Sequence, residues 1–447
     1  MNRAGPASSE APFAPAIEVK TPRLRAAHLW RALIDSDFSH KIVETYATRI
    51  FLIGLGLITS VVVSRTLGPT GRGLYAIAAV TGILGVQFGN MGLHTANVYY
   101  VAREPQSLPA LVGNSLILSF GVGTLISFIL GLCLHQFSRL IALHGVLLVL
   151  TLMWIPFGLA YLLLQNLMLG MHDVRGYNLL EIVNKSLPLV VILALAIAKA
   201  ATTVSLFSAT VAGLLVTSVW TLFRLQSVSV LGFKVSCVLF RGSIRYALKA
   251  YLAALFAFLV LRADLFMVQH MLGLEQAGYY SVASSMADYV SVIAVVIGTL
   301  LFPKLSAMQD VQEKLALTQK TTWMTAGLLV PLLLIASLVA RPAVRVLFGA
   351  AFLPAASAFV LLMPGMLFLG VNSVAVQFLN SIGYPKSVVL VWGLCCCFNI
   401  GIDLWAIPHY GISGASVVSS VSYLLACVFI LLIIRSVACE KEVEVLP

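Results

Sequence analysis

Leu67-Gly68-Pro69-Thr70-Gly71-Arg72-Gly73-Leu74-Tyr75-Ala76-Ile77-Ala78 returns 205 residues later as Leu272-Gly273-Leu274-Glu275-Gln276-Ala277-Gly278-Tyr279-Tyr280-Ser281-Val282-Ala283, with Leu, Gly, Gly, Tyr and Ala in register. Each copy sits between two long apolar runs, where glycine permits a tight reversal and tyrosine suits a lipid–water interface. Outward from these turns, six apolar runs precede the basic stretch 224–249 and six follow it. An even number of crossings per half makes both halves enter the membrane in the same direction, a parallel repeat about an axis along the membrane normal. A bundle repeated only for packing would show the same pattern without needing polar groups on its inward faces.

The composition agrees with a lipid environment. Of 447 residues, 60% are apolar and 10% charged, against roughly 45–50% and 25% in ordinary soluble domains. The mean hydropathy is +0.99, and several runs exceed the ~18 apolar residues that mark a spanning helix. A soluble enzyme is excluded. The expected fold is an all-α polytopic membrane protein of about twelve transmembrane helices, in two pseudo-symmetric six-helix lobes around a central cavity. Span cores fall at 47–65, 74–96, 110–133, 142–169, 177–198, 203–223, 250–271, 276–301, 322–340, 357–380, 387–407 and 413–434. The organisation predicted is a cytoplasmic N-terminal segment 1–46, partly disordered and partly amphipathic, an N-lobe 47–223, a basic cytoplasmic connection 224–249, a C-lobe 250–435 and a tail 436–447.

A three-to-one excess of the 28 lysines and arginines falls on the side that carries both termini, which predicts cytoplasmic termini. Arg65 and Arg72, in the first turn, fall with Arg139, Lys199, Arg341 and Arg345 in the outer connections. The net charge of +11 therefore speaks of the membrane and not of nucleic acid. Residues 24–38 and 234–248 mix Arg/Lys with large apolar side chains at helical spacing, as segments lying on an anionic leaflet do. The first twenty residues lack a signal-peptide apolar core. Seven scattered cysteines, Cys395-Cys396-Cys397 among them, form no CxxC pair and no metal-ligand spacing, and are read as small apolar filler.

Ionisable groups in mid-span are costly and usually face a cavity or a partner. Arg262 and Asp264 in the seventh span lie about 200° apart around a helix, so each needs a separate partner. Arg262 reads as a ligand for an anionic substrate or as half of a structural interhelical pair. Arg49 is a juxtamembrane anchor or a cavity cation. Lys185 is a cavity cation or the (i, i+4) partner of Glu181. Asp288 and Asp403 are isolated acids, each either a coupling group or a structural hydrogen-bonding group. Asn90, His94 and Asn97, spaced by four and three, predict one polar, cavity-lining face on the second span. Asn372, Gln377, Asn380 and Asn399 are equally explained by interhelical hydrogen bonds. No GxxxxGK[ST], HExxH or GxSxG motif is present, so no basis for an enzyme, a metal or a bound cofactor is visible.

These residues also carry a resemblance. Ser64-Arg65-Thr66 leading into Leu67–Tyr75, Arg262-Ala263-Asp264 followed by Gly278–Ala283, Asn380-Ser381-Ile382-Gly383-Tyr384-Pro385-Lys386, Asn399 and Pro408–Ser416 resemble Wzx-type polysaccharide flippases over about residues 41–435. These belong to the multidrug/oligosaccharidyl-lipid/polysaccharide exporter superfamily. The resemblance implies a flippase of the bacterial cytoplasmic (inner) membrane that carries polyprenyl-pyrophosphate-linked oligosaccharide to the outer leaflet by alternating access, for exopolysaccharide or lipopolysaccharide assembly. It further implies Arg262, Arg49 and Lys185 as cations for the pyrophosphate or acidic sugars, and Asp264, Asp288 or Asp403 as carriers of a proton or sodium coupling. Membrane lipids, a polysaccharide polymerase and chain-length machinery are the implied partners. The rival readings are a cation-coupled drug or metabolite extruder, which would prefer acidic cavity residues, a membrane-embedded polymerase or ligase, which would carry a large external loop, and a non-transporting scaffold.

Overall fold

Gly68 (φ 68°, ψ −177°) and Gly273 (φ 90°, ψ 177°) occupy the same position in the two repeat copies and adopt the same backbone. Gly349 (φ 98°, ψ 167°) and Gly411 (φ 63°, ψ −148°) repeat it at two later reversals. Positive φ with extended ψ is essentially confined to glycine. One residue thus reverses the chain without a loop of unsatisfied backbone.

The computed structural model describes residues 36–136, 142–228, 234–383 and 386–443. Residues 24–35 of the expected N-terminal amphipathic segment lie outside them. The described helices are α1 Ser36–Asn90, α2 Leu93–Arg103, α3 Leu108–Ile117, α4 Gly123–Gln136, α5 Gly145–Gly170, α6 Val174–Ile197, α7 Thr203–Val228, α8 Cys237–Leu272, α9 Leu274–Ala307, α10 Val311–Leu338, α11 Ala340–Leu347, α12 Ala355–Ser381 and α13 Lys386–Val443. Ten helical elements are long and apolar enough to cross a membrane. Two of these, Ala47–Asn90 and Lys386–Val437, are each divided by a non-helical glycine, at Gly68 and Gly411, so the described residues provide twelve crossing segments. The molecule is an all-helical membrane protein with two lobes. The chain forms two compact units, Met1–Ile50 and Phe51–Pro447, and the contacts within and between the lobes lie in the second.

Helices prevail because lipid offers the backbone no hydrogen-bond partners. Hydroxyls inside the spans follow the same logic by bonding back one turn, as Ser64 Oγ does to Ser60 O (2.7 Å) and Thr151 Oγ1 to Leu147 O (2.8 Å). At one end of the first lobe, Asp173 caps α6 through the Gly176 N–H (2.9 Å) and pairs with Arg224 of α7 (2.8 Å).

Two sequence expectations change. The second span ends at Asn90 and not near residue 96, because Met91 (φ 48°) and Gly92 (φ 81°) are left-handed. The space a Gly92 side chain would need is taken by Ala247 and Tyr251 of α8. The basic stretch 237–248 is the beginning of α8 and continues without a break into the seventh span. It is moored to the first lobe where Asn114 Nδ2 donates to Ser236 O (3.0 Å) and the Ser236 N–H donates to Asn114 Oδ1 (3.1 Å).

The repeat is itself a contact between the lobes. A methyl group on Gly73 would overlap the Leu274 carbonyl, and one on Gly278 would overlap the Pro69 carbonyl. Gly278 is the repeat equivalent of Gly73, and Leu274 that of Pro69, so the contact is reciprocal about the pseudo-two-fold axis. Nearby, Arg65 donates from the first lobe to the terminal carbonyls of α11, Leu347 O (2.7 Å) and Val346 O. The lobes therefore close on each other at the end carrying the Gly68 and Gly273 turns.

Candidate functional site

The seventh span, within α8, projects its two charges in different directions. Arg262 Nη2 donates to Asp288 Oδ2 of α9 at 2.6 Å, and the side chains remain 28% and 34% exposed. Asp288 is therefore a paired acid, not the isolated one expected. Asp264 faces the protein interior. Its carboxylate accepts from the Tyr280 hydroxyl, from Ser419 Oγ (3.0 Å) and from the Leu265 N–H (2.7 Å). Arg262 and Asp264 do not pair, as their angular separation requires.

Beside them on α13, Asn399 and Asp403 stand one helical turn apart and are fully buried. Asn399 Nδ2 donates to Ser422 Oγ (3.3 Å), while Asn399 Oδ1 and both Asp403 carboxyl oxygens have no hydrogen-bond partner among the described residues. Asp403 lies within electrostatic reach of Asp264, and the buried Tyr423 is an electrostatic neighbour of Arg262, Asp264 and Asp288 alike. Orphaned buried oxygens of this kind are met by a proton, an ion or ordered water. Three helices of the C-lobe thus bring together an ion pair that reaches the surface and a buried acid cluster behind it.

The remaining sequence candidates lie elsewhere. Arg49 belongs to the N-terminal unit, where it is half-buried. Lys185 is exposed on α6, and Glu181 accepts a hydrogen bond from Tyr177 (3.2 Å). Asn90, His94 and Asn97 do not form one polar stripe, because the chain breaks between the first and second of them. Asn90 is buried and its Oδ1 meets the His94 ring (2.9 Å) and the His94 N–H (3.3 Å), holding α2 against α1. Asn97, also buried, donates to Ser115 Oγ (2.9 Å) and Leu163 O (3.3 Å) and ties three helices together. Both asparagines are therefore joints rather than cavity lining.

Arg72 moves the other way. Expected in an outer turn, it is 7% exposed and reaches Ser285 Oγ of α9 (3.4 Å), crossing from one lobe to the other. Pro69 is the signal the sequence holds for this: proline is favoured at the first helical position, which places Arg72 on the first turn of the span.

Residues 62–357 match a family model described as "Polysaccharide biosynthesis protein". This chain belongs to that family. An uncharacterized membrane protein of Methanocaldococcus jannaschii is 28% identical over 156 residues, which is 34% of this chain and 31% of that protein's length. Among solved structures, the polysaccharide biosynthesis chain is similar to an inward-facing multidrug resistance MATE family transporter of the MOP superfamily, with TM-score 0.72, 15% identity, and 88% of this chain and 96% of that one covered. An outward-facing MATE structure gives 0.61 at 16% identity over 88% and 94%. The lipid II flippase MurJ, in an inward closed conformation, gives 0.68 at 13% identity over 88% and 87%. The two-lobed fold of this polysaccharide biosynthesis protein is thus the fold of those MOP-superfamily transporters.

Proposed function

We propose that this protein is a flippase that carries polyprenyl-pyrophosphate-linked oligosaccharide from the inner to the outer leaflet of a bacterial cytoplasmic membrane. The observation that carries the reading is the Arg262–Asp288 pair: a cation in mid-span, still about one-third exposed, in a protein of a polysaccharide biosynthesis family. A guanidinium offers the planar, multi-donor face that phosphate and carboxylate groups take. Arg262 exchanges its Asp288 partner for the headgroup, while the polyprenyl tail stays in lipid. Both termini are cytoplasmic, so the closed end at Gly68 and Gly273 faces outward and the substrate enters from the inside. Rocking of the lobes about their contacts gives alternating access. A polysaccharide polymerase and its chain-length machinery take the product on the outer side.

The test is leaflet-resolved detection of lipid-linked oligosaccharide in cells with and without the gene, with surface polysaccharide scored in parallel. Inner-leaflet accumulation and loss of surface polymer, both reversed by the wild-type chain, are expected. Normal arrival at the outer leaflet in the deletion would overturn the reading and leave drug or metabolite extrusion in its place.

Coupling to a proton or sodium gradient belongs, on this reading, to Asp403 with Asn399 and Asp264. Asp403→Asn keeps the shape and removes the titratable charge. The variant is expected to reach the membrane at wild-type levels and to lose the acceleration of transport by an imposed gradient. Transport that still collapses with ionophore in Asp403→Asn would exclude this acid.

A further inference from the structure

Among the described residues, Arg72 has no charge to answer it. No carboxylate there pairs with it, its Nε is buried without a hydrogen-bond partner, and its one hydrogen bond, to Ser285 Oγ, is long at 3.4 Å. The guanidinium carbon stands 5.9 Å from the centre of the Tyr75 ring, and Tyr289 of α9 is an electrostatic neighbour. Four of its five N–H donors have no hydrogen bond to a described residue. Burying an unpaired charge is among the most expensive arrangements a fold can keep. Its position adds to the cost, because a helix start is the positive end of the backbone dipole and disfavours cations. Such a group persists where a ligand supplies the missing charge.

The surroundings say when that ligand arrives. Arg72 belongs to one lobe and Ser285 to the other, beside the reciprocal Gly73 and Gly278 contact that closes them together. Ser285 and Asp288 lie one turn apart on α9, so Arg72 from the first lobe and Arg262 from the second reach the same stretch of one helix. Parting the lobes breaks the single weak bond Arg72 makes and uncovers its donors. We infer that Arg72 is an anion-binding residue at the interface of the two lobes, taking a multivalent oxyanion of the pyrophosphate or uronate class with the Tyr289 hydroxyl as a neutral donor. An anion held there favours the parted arrangement, since a ligand shifts an equilibrium toward the state it binds better. This inference rests on the flippase reading and adds to it a second cation, in the lobe opposite Arg262.

The test uses the purified full chain in lipid nanodiscs, with inorganic pyrophosphate and digalacturonate as separate probes. Binding of the first alone assigns the site to the lipid-linked phosphates, and binding of the second alone to acidic sugars. Arg72→Gln is expected to weaken the bound probe about tenfold or more, and Arg72→Lys less, because a point charge replaces a bidentate one. Ser285→Asp keeps the test sound should Arg72→Gln fold poorly. It gives Arg72 a permanent counter-ion, and is expected to raise thermal stability while weakening the probe by a similar factor. Equal affinity in the wild type, Arg72→Gln and Ser285→Asp would overturn the inference, and so would failure of both probes to bind the wild type. Neither result touches the flippase reading if the wild-type chain still restores export in the leaflet assay, and a failed leaflet assay condemns that reading whatever the probes do.

Discussion

Alanine at Gly73 or at Gly278 is expected to stop transport in a chain that still reaches the membrane. Each added methyl meets a backbone carbonyl of the other lobe, Leu274 O or Pro69 O, and not a side-chain end that can swing aside. Relief requires the two helices to separate. Overpacking of this kind costs about 1–3 kcal/mol. The contact exists only while the lobes meet at this end, so the cost falls on that state alone. Since about 1.4 kcal/mol is a factor of ten in an equilibrium, the closed arrangement is depleted by roughly one to two orders of magnitude. The readout is trapping of Arg65→Cys to Val346→Cys with a short bifunctional thiol cross-linker in a cysteine-free background, because the length of an arginine side chain spans the gap from position 65 to the Val346 carbonyl across the same closure. Trapping should fall in either glycine variant, and the double variant should add little, because both substitutions open one contact. Wild-type trapping with normal transport would show that the glycine crossing takes no part in the cycle.

The same two glycines show what a sequence of this kind discloses. Gly68 and Gly273 leave a repeated letter in the chain because their backbone is one that glycine alone readily adopts, and Gly73 and Gly278 because a side chain there would meet a carbonyl of the other lobe. Twelve crossings are visible because lipid demands length and hydrophobicity. The partner of a polar residue is another matter. A spanning helix is apolar on every side, so no amphipathic stripe tells which face meets a neighbour. Asp288 looks isolated in the chain because its partner is 26 residues away on another helix. Asn90, His94 and Asn97 suggest one face because nothing in their spacing announces that Met91 turns left-handed. Arg72 reads as a loop cation because glycine-rich sequence suggests a turn, although Pro69 marks where the helix resumes. Asn399, Asp403 and Asp264 are each legible as polar residues in a span, and only the packing of α8 against α13 makes them one cluster.

The decision between substrate ligand and structural brace rests on Arg262. Arg262→Ala is expected to abolish transport, and Arg262→Lys to retain part of it. Loss of Arg262 leaves Asp288 without its partner. Removing one member of a buried pair costs about 3–5 kcal/mol, and the partial exposure of this one reduces the expected loss to about 1–3 kcal/mol. A drop in membrane level alone would therefore not separate the two roles. The double variant Arg262→Ala with Asp288→Ala does, because it removes both charges and leaves no orphan. Its thermal stability should return to near the wild-type value, as replacing both partners usually costs little. If Arg262 receives the anionic headgroup, transport stays absent in this restored protein, and the exchanged pair Arg262→Asp with Asp288→Arg recovers stability with little or no transport. If the pair only braces α8 against α9, transport returns together with stability in both double variants. The wild-type geometry favours the first outcome: a brace has no need to leave about a third of each side chain exposed, whereas a cation that must change partners does.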